Sequence, residues 1–179
     1  MILRPFRRSA QNRTIASFYG AIVAQARLPI FYVEFGVPDT VHGRFDLIVL
    51  HLVLLLRRLA KTAGSGPALG QLLFDRFCRD LDDNLREMGV GDLAVPKRMR
   101  SFAEAFYGRQ AAYLAALDAA DERDFESALA RNILMESAGK AARLARYARA
   151  VNGGLEAQRE DGLLRGEVAF PRPEAFADA

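Results

Sequence analysis

The densest cluster of reactive side chains in the sequence is Asp80-Leu81-Asp82-Asp83-Asn84-Leu85-Arg86-Glu87. On a helix, Asp80, Asp83 and Glu87 share one face by the i, i+3, i+4, i+7 rule. Carboxylates placed this way have the charge and the oxygen donors to hold Mg²⁺ and, through it, a diphosphate. That would be the chemistry of an isoprenoid- or diphosphate-binding enzyme or carrier. Such enzymes also need a second acidic helix and a longer chain, and this sequence supplies neither. The same run offers Arg79 to Asp83 and Asp83 to Arg86 at ion-pairing distance along a helix, so an ion-paired, solvated face explains it more simply. The two readings separate on one feature: whether the carboxylates face a deep apolar pocket or face arginines and water.

No other catalytic arrangement stands out. His42 lies beside a turn and His51 inside an apolar run, and with Cys78 they do not match a zinc or haem pattern. His51 reads as a core histidine with one ring nitrogen hydrogen-bonded to backbone. Cys78 sits in an apolar stripe, where packing is its ordinary role, and a single cysteine forms no internal disulfide, which fits a reducing compartment. There is no nucleophile elbow, no phosphate cradle and no Cys-x-x-Cys pair; Gly64-Ser65-Gly66 is followed by Pro67 where a phosphate loop requires Lys. We therefore assign no catalytic residue, metal or cofactor, and expect a protein that acts by binding.

The charge pattern bears on what it binds. With 25 basic and 22 acidic residues the formal net charge is +3, too small to indicate DNA binding. No acid precedes Glu34, whereas Arg4, Arg7, Arg8, Arg13 and Arg27 are basic, so residues 1–11 read as a basic arm able to sit near lipid or RNA phosphates. Lys140, Arg143, Arg146 and Arg149 spread over the face opposite Leu144 and Val151. They form a candidate basic surface for ribosomal RNA or anionic lipid, or simply a solvated helix face. Residues 75–92 carry six acids and three bases, a net of −3. A surface alternating in sign suits the selection of protein partners.

These residues must be positioned by helices. Ile15, Phe18, Tyr19, Ile22 and Val23 recur at helical spacing within about 12–26. Pro29 restarts the chain, and Ile30 to Phe35 reads as a helical turn in preference to an unpartnered strand. Gly36-Val37-Pro38-Asp39-Thr40 is a turn, and Asp39 or Thr40 can cap a helix over about 41–62. That helix is apolar almost all round, as expected of a central core helix; it is too short and too interrupted to cross a bilayer. Ala63 to Pro67 is a break, and a third helix follows over about 67–88, ended by Gly89. A fourth spans about 92–117, with shorter helices at Glu122 to Met135 and Ala138 to Val151, the last punctuated by Gly153-Gly154. From Glu160 the chain reads as an extended tail. The expected architecture is all-α: a compact single-domain bundle of about six helices over 12–159, with the tail at 160–179.

Several segments have a motif-like character that packing does not explain: Gln25-Ala26-Arg27, Pro29 with Phe31-Tyr32, Gly36 to Thr40, Gly43-Arg44-Phe45, and Leu50-His51. Further on come Asp80-x-Asp82 with Asn84 to Asp92, then Tyr107-Gly108-Arg109 with Tyr113. In order and spacing, over roughly residues 15–150, they resemble the ubiquinol–cytochrome c reductase (respiratory complex III) chaperone family. The resemblance implies an assembly factor that binds newly made cytochrome b, works with a small partner protein, and meets the ribosome or an anionic membrane surface. A bacterial member would be cytoplasmic or peripheral at the inner membrane. It implies no enzymatic step. Candidate partner-binding residues are Tyr32, Asp39, Arg44, Asp80, Asp83, Arg86, Glu87, Tyr107 and Arg109, with Arg44 expected to pair with Glu87 and a groove expected between the 36–45 turn and the 80–92 segment.

Overall fold

Thr40 fixes the start of the most deeply buried helix. Its extended backbone lets the side-chain oxygen accept the Gly43 N–H at 3.1 Å, the standard capping arrangement. Gly43 is required one turn in, because a Cβ there would overlap the Pro38 carbonyl oxygen. The computed structural model describes residues 4–134 and 138–177. Among them lie α1 (Arg4–Ala26), α2 (Ile30–Val33), α3 (Val41–Lys61), α4 (Gly66–Glu87), α5 (Val95–Asp118), α6 (Glu122–Asn132), α7 (Ala138–Ala157) and α8 (Glu160–Leu164), with a 3-10 turn at Pro173–Phe176. No strand occurs among the described residues.

α3 is the hub. Leu47, Leu50, Leu52, Val53, Leu55 and Leu59 are wholly buried, because α1, α4, α5 and α7 pack around it. Each such side chain contributes roughly 1.5–3 kcal/mol by leaving water. α6 bridges α5 and α7. α4 ends where Gly89 adopts a left-handed backbone, φ +80°, while the Val90 N–H reaches the Leu85 carbonyl at 3.0 Å.

Polar groups pin this core. His51 is fully buried; its Nδ1 lies 2.7 Å from the Leu47 carbonyl oxygen and its Nε2 2.8 Å from the Tyr147 hydroxyl. A carbonyl only accepts, so Nδ1 carries the proton and Nε2 accepts from Tyr147. Gln25 Nε2 in turn donates to the Tyr147 oxygen at 2.9 Å and to the Pro171 carbonyl at 3.1 Å, which ties α1, α3, α7 and the C-terminal segment together. Burial lowers the His51 pKa to about 4, keeping the ring neutral. The expectation for His51 is met, with a second partner that the sequence did not announce.

Four differences from the sequence reading have physical causes. α1 begins at Arg4, so helical backbone extends through most of the segment read as an arm. α7 runs through Gly153-Gly154 to Ala157, because Leu155 is buried and Arg58 holds the helix end, donating from Nε to the Leu155 carbonyl at 2.8 Å and from Nη2 to the Gln158 carbonyl at 3.1 Å. A cation at a helix C-terminus also complements the dipole there. The tail is not wholly extended: α8 and the 3-10 turn lie in it, with Phe170 edge-on to His51 and Phe176 against Tyr147. α6 ends at Asn132; Met135, the expected end, lies outside the described residues.

Candidate partner-binding surface

The nominated residues fall into separate groups. At the α2–α3 turn, the Tyr32 hydroxyl donates to the Ala26 carbonyl at 2.7 Å, the Arg44 guanidinium lies 5.9 Å from the Tyr32 ring centre, and Arg44 pairs with Asp39 at 2.8 Å. This replaces the expected Arg44–Glu87 pair: Asp39 lies one helical turn back in the chain, so the shorter-range partner wins. On α4, Asp80 accepts from the Tyr19 hydroxyl at 2.6 Å and lies 3.6 Å from Arg76, while Arg86 pairs with Asp82 at 2.7 Å and with Asp92. Asp83 and Glu87 face solvent. Among the described residues no group of three or more His, Cys, Asp or Glu side chains is placed to share a metal ion. Asp80 is matched with a phenol and an arginine, and none of the three carboxylates lines a cavity described here. The Mg²⁺–diphosphate reading of Asp80, Asp83 and Glu87 is therefore set aside.

On α7, Arg143 donates to the Glu34 carbonyl at 2.8 Å, closing the end of α2, and Arg149 lies 5.4 Å from the Phe125 ring centre with a donor reaching the Glu122 carbonyl at 3.4 Å. The Lys140 chain lies along Gly36. Arg146 also has interactions of its own. The basic row thus serves internal packing as well as facing water.

α5 gathers the features that distinguish the surface. Phe74 and Phe77 of α4 meet Phe106, with ring centres 4.8 and 6.0 Å apart, and Phe45 of α3 meets Phe102 at 5.2 Å. Tyr107 caps this cluster, packing on Phe74 and Phe106 while 55% exposed. A groove of about 250 Å³ bounded by Phe74, Phe106 and Tyr107 lies on one side of α5. A cleft of about 510 Å³ between Phe45 and His42 of α3 and Lys97 to Arg109 of α5 lies on the other. Its second wall is α5; the 80–92 segment takes no part in it.

Beneath the larger cleft, Arg109 reaches the Asp46 carboxylate at 2.9 Å. Asp46 is only 7% exposed, and burial lifts its carboxyl to about 6 against the opposing pull of Arg109 and His42. The Tyr113 hydroxyl is buried beside it with no hydrogen-bond partner among the described residues, and burial, reinforced by Asp46, raises its pKa. Asp46 interrupts the apolar run of α3 and is not among the residues singled out from the sequence. A carboxylate inside such a run needs a partner, and that requirement was the available signal.

A profile of the ubiquinol-cytochrome C chaperone family matches residues 33–170. The chain belongs to that family. Comparison with curated proteins gave no match. Among solved structures, the crystal structure of the Cbp3 homolog from Brucella abortus is similar, with 39% sequence identity and a TM-score of 0.87 over 97% of this chain and 98% of that one. The resemblance read from the motifs is thereby met, as is the all-helical fold. Membership in this chaperone family also gives the motifs a double reading. Gly43, Thr40 and Tyr32 hold the α2–α3 turn, Gly89 stops α4 and His51 pins the core, whereas Tyr107 stands at the surface. No helix among the described residues is long and apolar enough to cross a membrane.

Proposed function

We propose that the protein is an assembly chaperone that holds newly made cytochrome b, or a related subunit, during biogenesis of ubiquinol–cytochrome c reductase. Family membership supports the class of activity. The observation that carries the client-binding part is the aromatic surface of α3, α4 and α5. There Tyr107 and a row of phenylalanines border two open grooves, and Leu93 and Val41 stand 99% and 71% exposed nearby. Exposed apolar side chains beside open, aromatic-lined grooves are the kind of surface that binds a partner, and an unassembled membrane subunit offers the complementary surface. Tyr107 contacts the client directly, with the Asp39–Arg44 pair at the margin. Asp80 and Arg109 keep the helices in place, Arg86 ties the end of α4 to the loop that follows, and Asp83 and Glu87 supply a solvated acidic rim. The protein works at the inner-membrane surface because its client is made there.

Deletion of the gene tests the reading. The expected result is a loss of the cytochrome b absorbance band and of assembled complex III, restored by the wild-type chain, with other respiratory complexes unchanged. Normal complex III in a clean deletion strain would overturn it.

A further inference from the structure

The larger cleft has an unbalanced chemistry. Phe45 and Phe102 form its apolar wall, and His42, Lys97, Arg98 and Arg109 supply its polar groups; no carboxylate lines it. Several cations elsewhere are matched within the chain, Arg44 with Asp39, Arg57 with Asp118, Lys61 with Glu156 and Arg165 with Asp161. Others, Arg79 and Arg100 among them, have no carboxylate partner among the described residues; what sets Lys97 and Arg98 apart is that they line this cleft. Lys97 and Arg98 are exposed and have no acidic partner among the described residues. Two exposed apolar residues, Leu93 and Val41, immediately precede the lining residues Ala94 and His42 in the chain.

We propose that this cleft receives a protein segment carrying a large apolar anchor beside one or more carboxylates. The anchor lies on the Phe45–Phe102 ring pair, the carboxylates meet Lys97 and Arg98, and Leu93 and Val41 close over the flanks. Arg109 is held by Asp46 and so forms the floor, adding field without changing partner. A protein segment fits better than a lipid for two reasons. Exposed Leu93 and Val41 adjoin the lining residues of the two walls in the chain, which offers apolar surface beyond what a single acyl chain covers. Aromatic side chains and arginine around a groove are also the composition of protein interfaces. The inference rests on the binding-protein reading above, but it does not require the occupant to be cytochrome b.

The test uses the full chain and a synthetic amphipathic helical peptide with Leu and Phe at i, i+3, i+4 and i+7 and glutamates at one end, read by fluorescence anisotropy at low salt. A twin peptide has lysine for each glutamate. The expected result is preference for the glutamate peptide, weakened about tenfold or more by K97E/R98E, which then favours the lysine twin; tenfold corresponds to about 1.4 kcal/mol. Both substitutions are at exposed positions, and circular dichroism checks that the helices persist. Equal binding of the two peptides, or binding indifferent to K97E/R98E, overturns the proposal. So does capture of phosphatidylglycerol vesicles, lost in K97E/R98E, without peptide binding. The peptide result and the deletion phenotype are read independently, so either can fail without the other.

Discussion

Replacing Arg109 by Met should destabilise the protein in a way that depends strongly on pH. In the folded chain Asp46 is raised from 3.8 to about 6, so its charged form is disfavoured even with Arg109 2.9 Å away. Because the folded state holds this proton more tightly than the unfolded state, the Asp46 contribution to stability is full below pH 3.8 and is lost as pH rises through 6. Without Arg109 the carboxyl has an escape: it stays protonated. At pH 7.5 that escape costs about 1.4 kcal/mol for each of the roughly 1.5 pH units above 6, or about 2 kcal/mol. At pH 5 the wild-type carboxyl is already mostly protonated and the same loss falls below about 0.1 kcal/mol. Trimming the guanidinium adds a packing loss of about 1 kcal/mol at either pH. Urea denaturation should therefore give about 3 kcal/mol of destabilisation at pH 7.5 and about 1 kcal/mol at pH 5. The D46N/R109M double variant should lose the pH dependence relative to D46N. An R109M penalty equal at the two pH values would refute the pairing of a charged Asp46 with Arg109 and the account of the cleft floor built on it.

Two further outcomes follow from the core. His51 is held neutral with its pKa at about 4 against an ordinary 6.5, so stability present above pH 6.5 should fall by about 3 kcal/mol as pH drops toward 4, through this group alone. H51Q should lack that component, and parallel pH profiles of urea midpoints for the two proteins would contradict it. Gly153 and Gly154 lie within α7 with open space where a Cβ would be. The double substitution to alanine should therefore raise stability by about 1–2 kcal/mol in equilibrium unfolding, the ordinary gain from replacing helical glycine, and a loss would mean that the glycines serve a close contact.

What could be read in advance was whatever depended on neighbours in sequence. The bounds of α3, α4 and α5 follow from the Thr40 cap, the Gly64-Ser65-Gly66-Pro67 break and the left-handed Gly89, and the structure places them within a few residues of expectation. His51 was legible because a polar ring in an apolar helix has few ways to be satisfied. What escaped depended on partners far along the chain. Gly153-Gly154 is a local stop signal, but the burial of Leu155 and the arginine from α3 beneath it outweigh a glycine penalty of about 1 kcal/mol per residue. In sequence, Arg58 stands only at the charged end of the apolar run of α3. The Asp46–Arg109 pair joins two helices whose register cannot be counted off either one, and Arg44 found a partner five residues away rather than across the fold.

The proposed function requires the chain to expose apolar surface without collapsing around it, and the distribution of its polar contacts bears on that requirement. On the α1–α3–α7 side, buried hydrogen bonds from Gln25, His51, Arg58 and Tyr147 fix the helices in one arrangement. Each of these donors or acceptors would cost about 1–3 kcal/mol if left unmade by a slipped packing. Between α4 and α5 the ring contacts of Phe74, Phe77 and Phe106 tolerate small shifts because aromatic pairs remain favourable over centre distances of roughly 4.5–7 Å. Ion pairs also cross to α5, where Asp46 meets Arg109 and Arg57 meets Asp118, so the aromatic contacts there are held within a fixed helix arrangement.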